Sequence, residues 1–505
     1  WGDDKHPEFL LGYQDIPEQQ AQLPLTVDFN DCGHILVVGS PGYGKSTFIQ
    51  NALIDVMRKT TPEQSHIYLY DFGTSGLISL VDFPHVADYF TADDNEKVMK
   101  SLRRLQKEVK LRKAALSEAR SSNMQQYNRD AATPFPSLFI AIDSFDGVSD
   151  ATFSEAFNET VNILAREGAS LGIYLITTMS RFNAMRVQLQ ANFKTKIALY
   201  LFEQSDVTSI VGRTDQVLLD IRGRGLMKQD TVVSFQVCVP YAVEDNSSMI
   251  QQVKAEAQEM SRCWTGALPQ PIPMLPEVVT PEMVEAQVDR AERNHQVLLG
   301  LTREMVEVAA FTLDKAISLV SDNVRSVTQF YKVLAYQFQQ YTTPVQVVIV
   351  DPLGLVPLDQ FKEAHRFSDT LSAKEGMNII LDNLKERMTQ PGEYTQSLII
   401  IPDIQILGQS LNITENQFKE LLLEGPKYGI TPVFVGNYKD LMTNYSTLVT
   451  LHRQLATQVF MGMRISDQEY VRFPYISNEK SPRPNEGYIV DAEGYEFVQL
   501  MSIEE

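Results

Sequence analysis

The sequence predicts an α/β protein made of two tandem copies of one domain, each a mostly parallel sheet flanked by helices. Three observations predict it. Short apolar runs alternate with helical patterns along most of the 505 residues. One of these runs feeds a glycine-rich loop that opens a helix. An ordered set of segments from the first half returns in the second.

The pattern starts with Ile35-Leu36-Val37-Val38, a continuous apolar run suited to a strand buried on both faces. It leads into Gly39-Ser40-Pro41-Gly42-Tyr43-Gly44-Lys45-Ser46-Thr47, which fits G-x-x-x-x-G-K-[ST]. The glycines let backbone N–H groups turn inward around phosphate oxygens. Lys45 can reach the β- and γ-phosphates, and the Ser46 hydroxyl can serve Mg²⁺. ATP with Mg²⁺ is the expected cofactor. From Phe48 to Arg58, Phe48, Ile49, Ala52, Leu53, Val56 and Met57 fall at helical spacing. A plain surface turn would not need a Lys-Ser pair at a helix entrance.

The next apolar run, Ile67–Tyr70, stops at Asp71. A basic stretch from Lys97 to Arg120 then carries Leu102, Leu105, Val109 and Leu116 at helical spacing. Its Arg103, Arg104, Lys107, Lys110, Arg112 and Lys113 read as a solvated helix face. Leu138–Ile142 ends at Asp143, where phosphate-loop proteins keep an acid for the Mg²⁺-bound water shell. The plainer alternative is an aspartate capping the next turn. Ile173–Thr177 is followed by Thr178, whose hydroxyl can sense a γ-phosphate. Ile197–Phe202 and Val232–Val239 complete the strands. Such alternation brings the Asp and Gly positions to the carboxyl edge of the sheet, where ligands bind.

Hydrolysis usually needs a glutamate directly after the strand-end aspartate. Here Ser144 follows, a poor base, and Asp146 is the nearest substitute. The expected site therefore binds ATP and turns it over slowly unless another subunit or domain completes it. Arg166, Arg181, Arg213, Arg222 and Arg224 are candidate fingers into a neighbouring site, and nothing in the sequence chooses among them.

Pro269-Gln270-Pro271-Ile272-Pro273-Met274-Leu275-Pro276, followed by Pro281, cannot continue a helix or a central strand. The expected domains are residues 1–262 and 282–505, joined by a semi-rigid linker over 263–281. Ser137–Asp143 resembles Ser397–Asp403, and Leu171-Gly172-Ile173 resembles Tyr428-Gly429-Ile430. Ser205-Asp206 matches Ser466-Asp467, Gly225-Leu226-Met227 matches Gly487-Tyr488-Ile489, and Ile67–Asp71 matches Val347–Asp351. That order places the second phosphate loop at Ser321-Asp322-Asn323-Val324-Arg325-Ser326-Val327-Thr328, after Ile317–Val320. Ser321 and Ser326 replace the outer glycines, and Val327 replaces the lysine. Asp403 remains, followed by Ile404. The second copy is expected to bind ATP weakly or not at all, with Thr328 and Asp403 left as poor Mg²⁺-nucleotide holders, and to serve as a docking platform.

A formal charge of -20 argues against nucleic-acid binding, which needs a basic footprint. No apolar run reaches the length of a membrane span. The chain opens on Trp1 and is expected to be part of a longer protein whose anchor lies upstream. Cys32, Cys238 and Cys263 are scattered and suggest neither a disulfide framework nor a metal site.

The phosphate loop, the Asp143 strand, Thr177-Thr178, Gln190–Ala198 and Gly223-Arg224-Gly225-Leu226-Met227 together resemble the FtsK/SpoIIIE-type motor ATPases. The expected fold is accordingly two tandem P-loop (RecA-like) domains. In that family the segment like Ala191–Ala198 usually reads ANFPTRIAF and is followed by GRGDML. Here Lys196 stands for the arginine and Leu226 for the aspartate. An intact loop followed by a degenerate one is most similar to the coupling ATPases of Gram-positive type VII secretion. The resemblance implies a machine that is hexameric when full-length. It also implies a further ATPase domain and membrane helices upstream, and substrates that are secreted helical-hairpin proteins of the WxG type. It places this chain on the cytoplasmic side of the membrane. Two alternatives stand beside this: a DNA-translocating motor, and a non-catalytic scaffold in which ATP fixes domain orientation.

Overall fold

The computed structural model describes residues 8–16, 21–242, 245–290, 292–357, 359–390, 392, 394–443, 446–470, 479–491 and 494–503. Trp1 and the acidic end Glu504-Glu505 lie outside them. The chain divides into two compact units, Trp1–Ile272 and Pro273–Glu505. The division falls inside the proline-rich segment.

In the first unit the strands are β1 (Glu8–Ile16), β2 (Ala21–Asp28), β3 (Ile35–Val38), β4 (Ser65–Asp71) and β5 (Val86–Phe90). They continue with β6 (Ser137–Asp143), β7 (Ile173–Met179), β8 (Thr195–Leu199), β9 (Arg224–Lys228) and β10 (Val232–Val237). Their order in the sheet is β2-β1-β10-β9-β8-β3-β7-β6-β4-β5. From β8 to β5 all neighbours are parallel, and β8-β9, β9-β10, β10-β1 and β1-β2 are antiparallel. The central strand β3 is apolar throughout because helices cover both faces, and all four of its residues are buried.

The second unit has β11 (Gln296–Thr302), β12 (Val308–Thr312), β13 (Ile317–Ser321), β14 (Val345–Val350) and β15 (His365–Phe367). After these come β16 (Gln396–Ile401), β17 (Ile430–Asn437), β18 (Val459–Met461), β19 (Glu486–Val490) and β20 (Tyr495–Leu500). The sheet order is β12-β11-β20-β19-β18-β13-β17-β16-β14-β15, the first unit's order with ten added to each number. The two units are copies of one α/β fold.

The copies share details that the sequence comparison did not reach. Each first hairpin has a register shift at a glycine, Gly12 in β1 and Gly300 in β11. A Cβ there would lie 2.0 Å from the Gln236 carbonyl oxygen and 1.9 Å from that of Gln499. Only glycine lets the neighbouring strand come so close. Gly172 and Gly429 each turn the chain into a strand with φ of 69° and 72°. Beside each lies an arginine from the long helix after the fifth strand. Arg112 donates to the carbonyls of Leu171 and Pro136, both at 2.7 Å, and to Glu108. Arg387 donates to the carbonyls of Tyr428 and Gly429 at 3.0 and 3.2 Å.

Several expectations need correction. The basic stretch is a helix, Asn95–Ala119, but Arg112 is fully buried within it rather than solvated. The carbonyls it satisfies would otherwise be orphaned. The run read as Ile197–Phe202 is a strand over Thr195–Leu199, and the chain leaves the sheet at Tyr200. The late strand ends at Val237, not Val239. The hairpin β1-β2 and the edge strand β5 were not anticipated; β5 is short and only part of it is buried.

Candidate nucleotide site

The glycine-rich loop leaves β3 at the carboxyl edge between β7 and β8. Gly39 N–H donates to the Met179 carbonyl at 3.1 Å, and Ser40 N–H to that of Tyr200 at 2.8 Å. A Cβ on Gly39 would sit 2.8 Å from the Leu199 Cβ, so β8 fixes that glycine. Gly42 and Gly44 have φ of 84° and 99°, the left-handed region that reverses the chain into the helix Lys45–Lys59. Pro41 is exposed, and Tyr43 and Thr47 are half-buried. The first N–H groups of that helix have no intrahelical acceptor and are free to meet an anion.

The Lys45 ammonium donates to the carbonyls of Gly39 and Ser40 at 2.9 and 3.1 Å. It thereby bridges the loop it belongs to. Burial lowers its pKa, and the charges of Asp143 and Asp146 act against that shift. Ser46 Oγ donates to Asp143 Oδ2 at 2.6 Å. Thr178 Oγ1 donates to the other carboxylate oxygen and accepts from Ser144 N–H at 3.0 Å. Burial raises the Asp143 pKa, and the hydrogen bonds from Ser46 and Thr178 partly offset it. A loop after β4 closes the site from above: a Cβ on Gly76 would lie 2.8 Å from Ser46 Oγ and 3.2 Å from Asp143 Oδ2.

This donor set fits Mg²⁺-ATP. It offers backbone N–H groups and an ammonium for phosphate, and a hydroxyl and a buried carboxylate at bonding distance for a hard cation. Asp146 is engaged elsewhere, accepting the Ser180 N–H at 3.2 Å. Ser144 has a φ of 60°. Of the candidate arginines, Arg166 pairs with Glu167 at the end of the helix Ser154–Glu167, towards the amino edge of the sheet and away from the loop. Arg222 and Arg224 flank Gly223, whose N–H donates to the Tyr43 carbonyl at 3.2 Å. Sequence reasoning missed Gly76, Tyr200 and Asp220. Only the glycines nearby carried a signal for these contacts.

The second copy has no such cradle. β13 ends at Ser321, and the helix Val324–Gln340 begins after two residues. Val324, Arg325 and Ser326 stand where Gly42, Tyr43 and Gly44 stand in the first copy, but they form a helical turn. Asn323 caps it, its Oδ1 accepting from Arg325 N–H at 2.9 Å and its carbonyl from Ser326 and Val327 N–H. Ser321 Oγ donates to the Gly462 carbonyl at 2.8 Å, tying the strand end to β18. Thr328 Oγ1 donates back to the Val324 carbonyl at 3.0 Å. Asp403 caps the helix Ile404–Gln409 through the Gln405 N–H at 2.8 Å. Among the described residues no hydrogen bond joins Thr328 to Asp403.

The FtsK/SpoIIIE family model matches residues 11–228. The type VII secretion system protein EssC of Staphylococcus aureus (strain NCTC 8325 / PS 47) is 32% identical over 502 residues, covering 99% of this chain. The chain spans 34% of the length of that curated relative. The solved structure of EssC ATPases 2 and 3 from Geobacillus thermodenitrificans superposes with a TM-score of 0.86 at 25% identity, covering 100% of this chain and 97% of that one. EccC ATPases 2 and 3 from Thermomonospora curvata, solved in complex with a signal sequence peptide, share the fold. The TM-score there is 0.61 at 18% identity, covering 100% of this chain and 94% of that one. Among the described residues no helix is long and apolar enough to cross a membrane.

Proposed function

Through residues 11–228 the chain belongs to the FtsK/SpoIIIE family, and on that premise we propose that it is the ATP-binding coupling module of a type VII protein secretion machine. Nucleotide binds at Gly39–Thr47 in the first unit, with Ser46 and Asp143 at the Mg²⁺ and Thr178 towards the γ-phosphate. The second unit takes no nucleotide and docks a secreted substrate. Turnover is slow in this chain alone, because Ser144 is no base and Asp146 is held by a backbone N–H. In the full-length machine it works on the cytoplasmic face of the membrane, in a hexamer with its upstream domains.

One observation carries the division of labour: the first unit keeps the phosphate loop and fills its edge groove, and the second has lost the loop and leaves that groove open. In the first unit the edge groove beside β5 is filled by the chain itself. Arg104 donates to the carbonyls of Gln270 and Pro271 at 2.7 and 3.0 Å, and Ile272 N–H donates to Asp88 at 2.9 Å. Ile272 is 4% exposed and packs into the core with Tyr68, Phe90 and Leu105. The equivalent positions beside β15 are Val348, His365, Phe367, Gly376, Ile379 and Ile380, and they line a cavity of about 250 Å³. A groove that holds an isoleucine on an extended backbone in one copy suits an apolar side chain of a substrate's signal segment in the other.

Calorimetry on the intact chain tests both halves. Lys45→Ala is expected to weaken Mg²⁺-ATP binding at least about a hundredfold, to a titration with no site left. Ile379→Glu, on an exposed residue, is expected to abolish binding of a substrate signal peptide and leave ATP binding intact. A nucleotide site surviving Lys45→Ala would overturn the reading.

A further inference from the structure

The geometry points to an aromatic platform for the base of the bound nucleotide, made by Tyr43, Tyr200 and Phe202. The inference rests on nucleotide binding at Gly39–Thr47 and goes beyond it by naming what recognises the nucleoside.

The direction of the nucleotide follows from the site. Ser46, Asp143 and Thr178 gather the cation and the γ-phosphate end on the β7-β6 side of β3. A phosphate chain threaded through the loop must then deliver its nucleoside to the other side, towards β8 and β9. There the chain leaves β8 at Tyr200, which the Ser40 N–H holds beside the loop. The Tyr43 ring lies against the Tyr200 ring, centroids 4.5 Å apart and tilted 30°. Phe202 continues the cluster edge-on to Tyr200 at 6.1 Å. Phe202 is 87% exposed, which leaves a large aromatic face beside a phosphate cradle without burial to account for it.

Tyr43 is held for this task. Its hydroxyl donates to Asp220 Oδ1 at 2.6 Å, and its carbonyl accepts from Gly223 N–H at 3.2 Å. Gly44 lies beside Gly223: a Cβ on Gly44 would be in ordinary contact with the Gly223 nitrogen at 3.6 Å. The segment from Asp220 to Gly223 thus fixes both the loop and the ring. Stacking on such rings recognises the flat face of a base, whatever its edge. The second unit has no aromatic counterpart: by strand register Met463 stands for Tyr200, and Arg325 stands for Tyr43.

The test compares Mg²⁺-ATP with Mg²⁺-tripolyphosphate, which has no base, by calorimetry on the intact chain. Phe202→Ala is expected to weaken ATP binding at least about fivefold, the lower end of base–aromatic stacking, and to leave tripolyphosphate binding unchanged. Phe202→Trp is expected to hold ATP as well as the parent chain. Equal losses for both ligands, or no loss for either, would overturn the platform while leaving the phosphate loop in place. A parent chain that binds neither ligand would overturn nucleotide binding itself and the platform with it.

Discussion

The same ten-stranded sheet is used twice, yet the junction between its central strand and the following helix differs in the two units. In the first, six residues from Gly39 to Gly44 separate β3 from the helix, two of them at positive φ. In the second, Asp322 and Asn323 suffice, and the helix has grown back by one turn. The difference teaches how a phosphate cradle is lost. Glycine is what lets the backbone leave the helical region there, because residues with a Cβ avoid φ near 90°. With valine and serine in those places the helix extends, and an asparagine cap takes up its free N–H groups. Losing the lysine removes a charge; losing the glycines removes the cavity.

The likeness of the units can be strained first. Gly12→Ala and Gly300→Ala each force a Cβ into a backbone oxygen. Each is expected to destabilise its own unit by about 3 kcal/mol or more, the upper end of overpacking. Thermal unfolding of the two variants should show comparable losses. A large loss in one and none in the other would break the equivalence of the copies.

A smaller effect sharpens the difference. Ser46→Ala removes the hydroxyl that meets Asp143 and is expected to weaken Mg²⁺-nucleotide binding by about tenfold, roughly one lost charge-assisted hydrogen bond. Thr328→Ala, at the matching position, is expected to leave it unchanged, since that hydroxyl only bonds back to its own helix. Titrations of both variants at fixed Mg²⁺ would decide it.

The units differ also in acid sensitivity. Burial holds His34, His66 and His85 of the first unit neutral, each with its pKa lowered to about 4, and lowers His452 of the second to about 3. A histidine lowered on folding stabilises fully above its unfolded value of 6.5. That contribution falls as the pH drops from 6.5 towards the folded value, because the unfolded chain takes up the proton first. Three such groups against one make the first unit the more acid-labile. Hydrogen exchange at pH 7 and pH 5 should show protection falling more in β3 and β4 than in β13 and β17.

Much of this was legible in the chain itself. Ile35–Val38, Gly39–Thr47 and the apolar face from Phe48 to Met57 are contiguous, so strand, cradle and helix can be read without knowing what surrounds them. The end-of-strand aspartates, Asp71 with Asp351 and Asp143 with Asp403, gave the repeat away because each closes an apolar run. Arg112 was misread because its charge is visible in the sequence and its partners are not. The carbonyls of Pro136 and Leu171 come within reach only when the helix Asn95–Ala119 packs on the sheet. Strand β5 was missed because it is short and only partly buried, so its pattern carries little signal.

The sequence alone settled the two α/β copies, their order and the residue types at the phosphate loop, since periodicity and glycine punctuation are local properties of the chain. Only the tertiary structure brought Ser46 to Asp143 across 97 residues, turned Asn323 into a helix cap and laid Ile272 into one groove while leaving its counterpart open. Those contacts depend on strand register and helix packing, which are set by burial over the whole domain and by no segment of it.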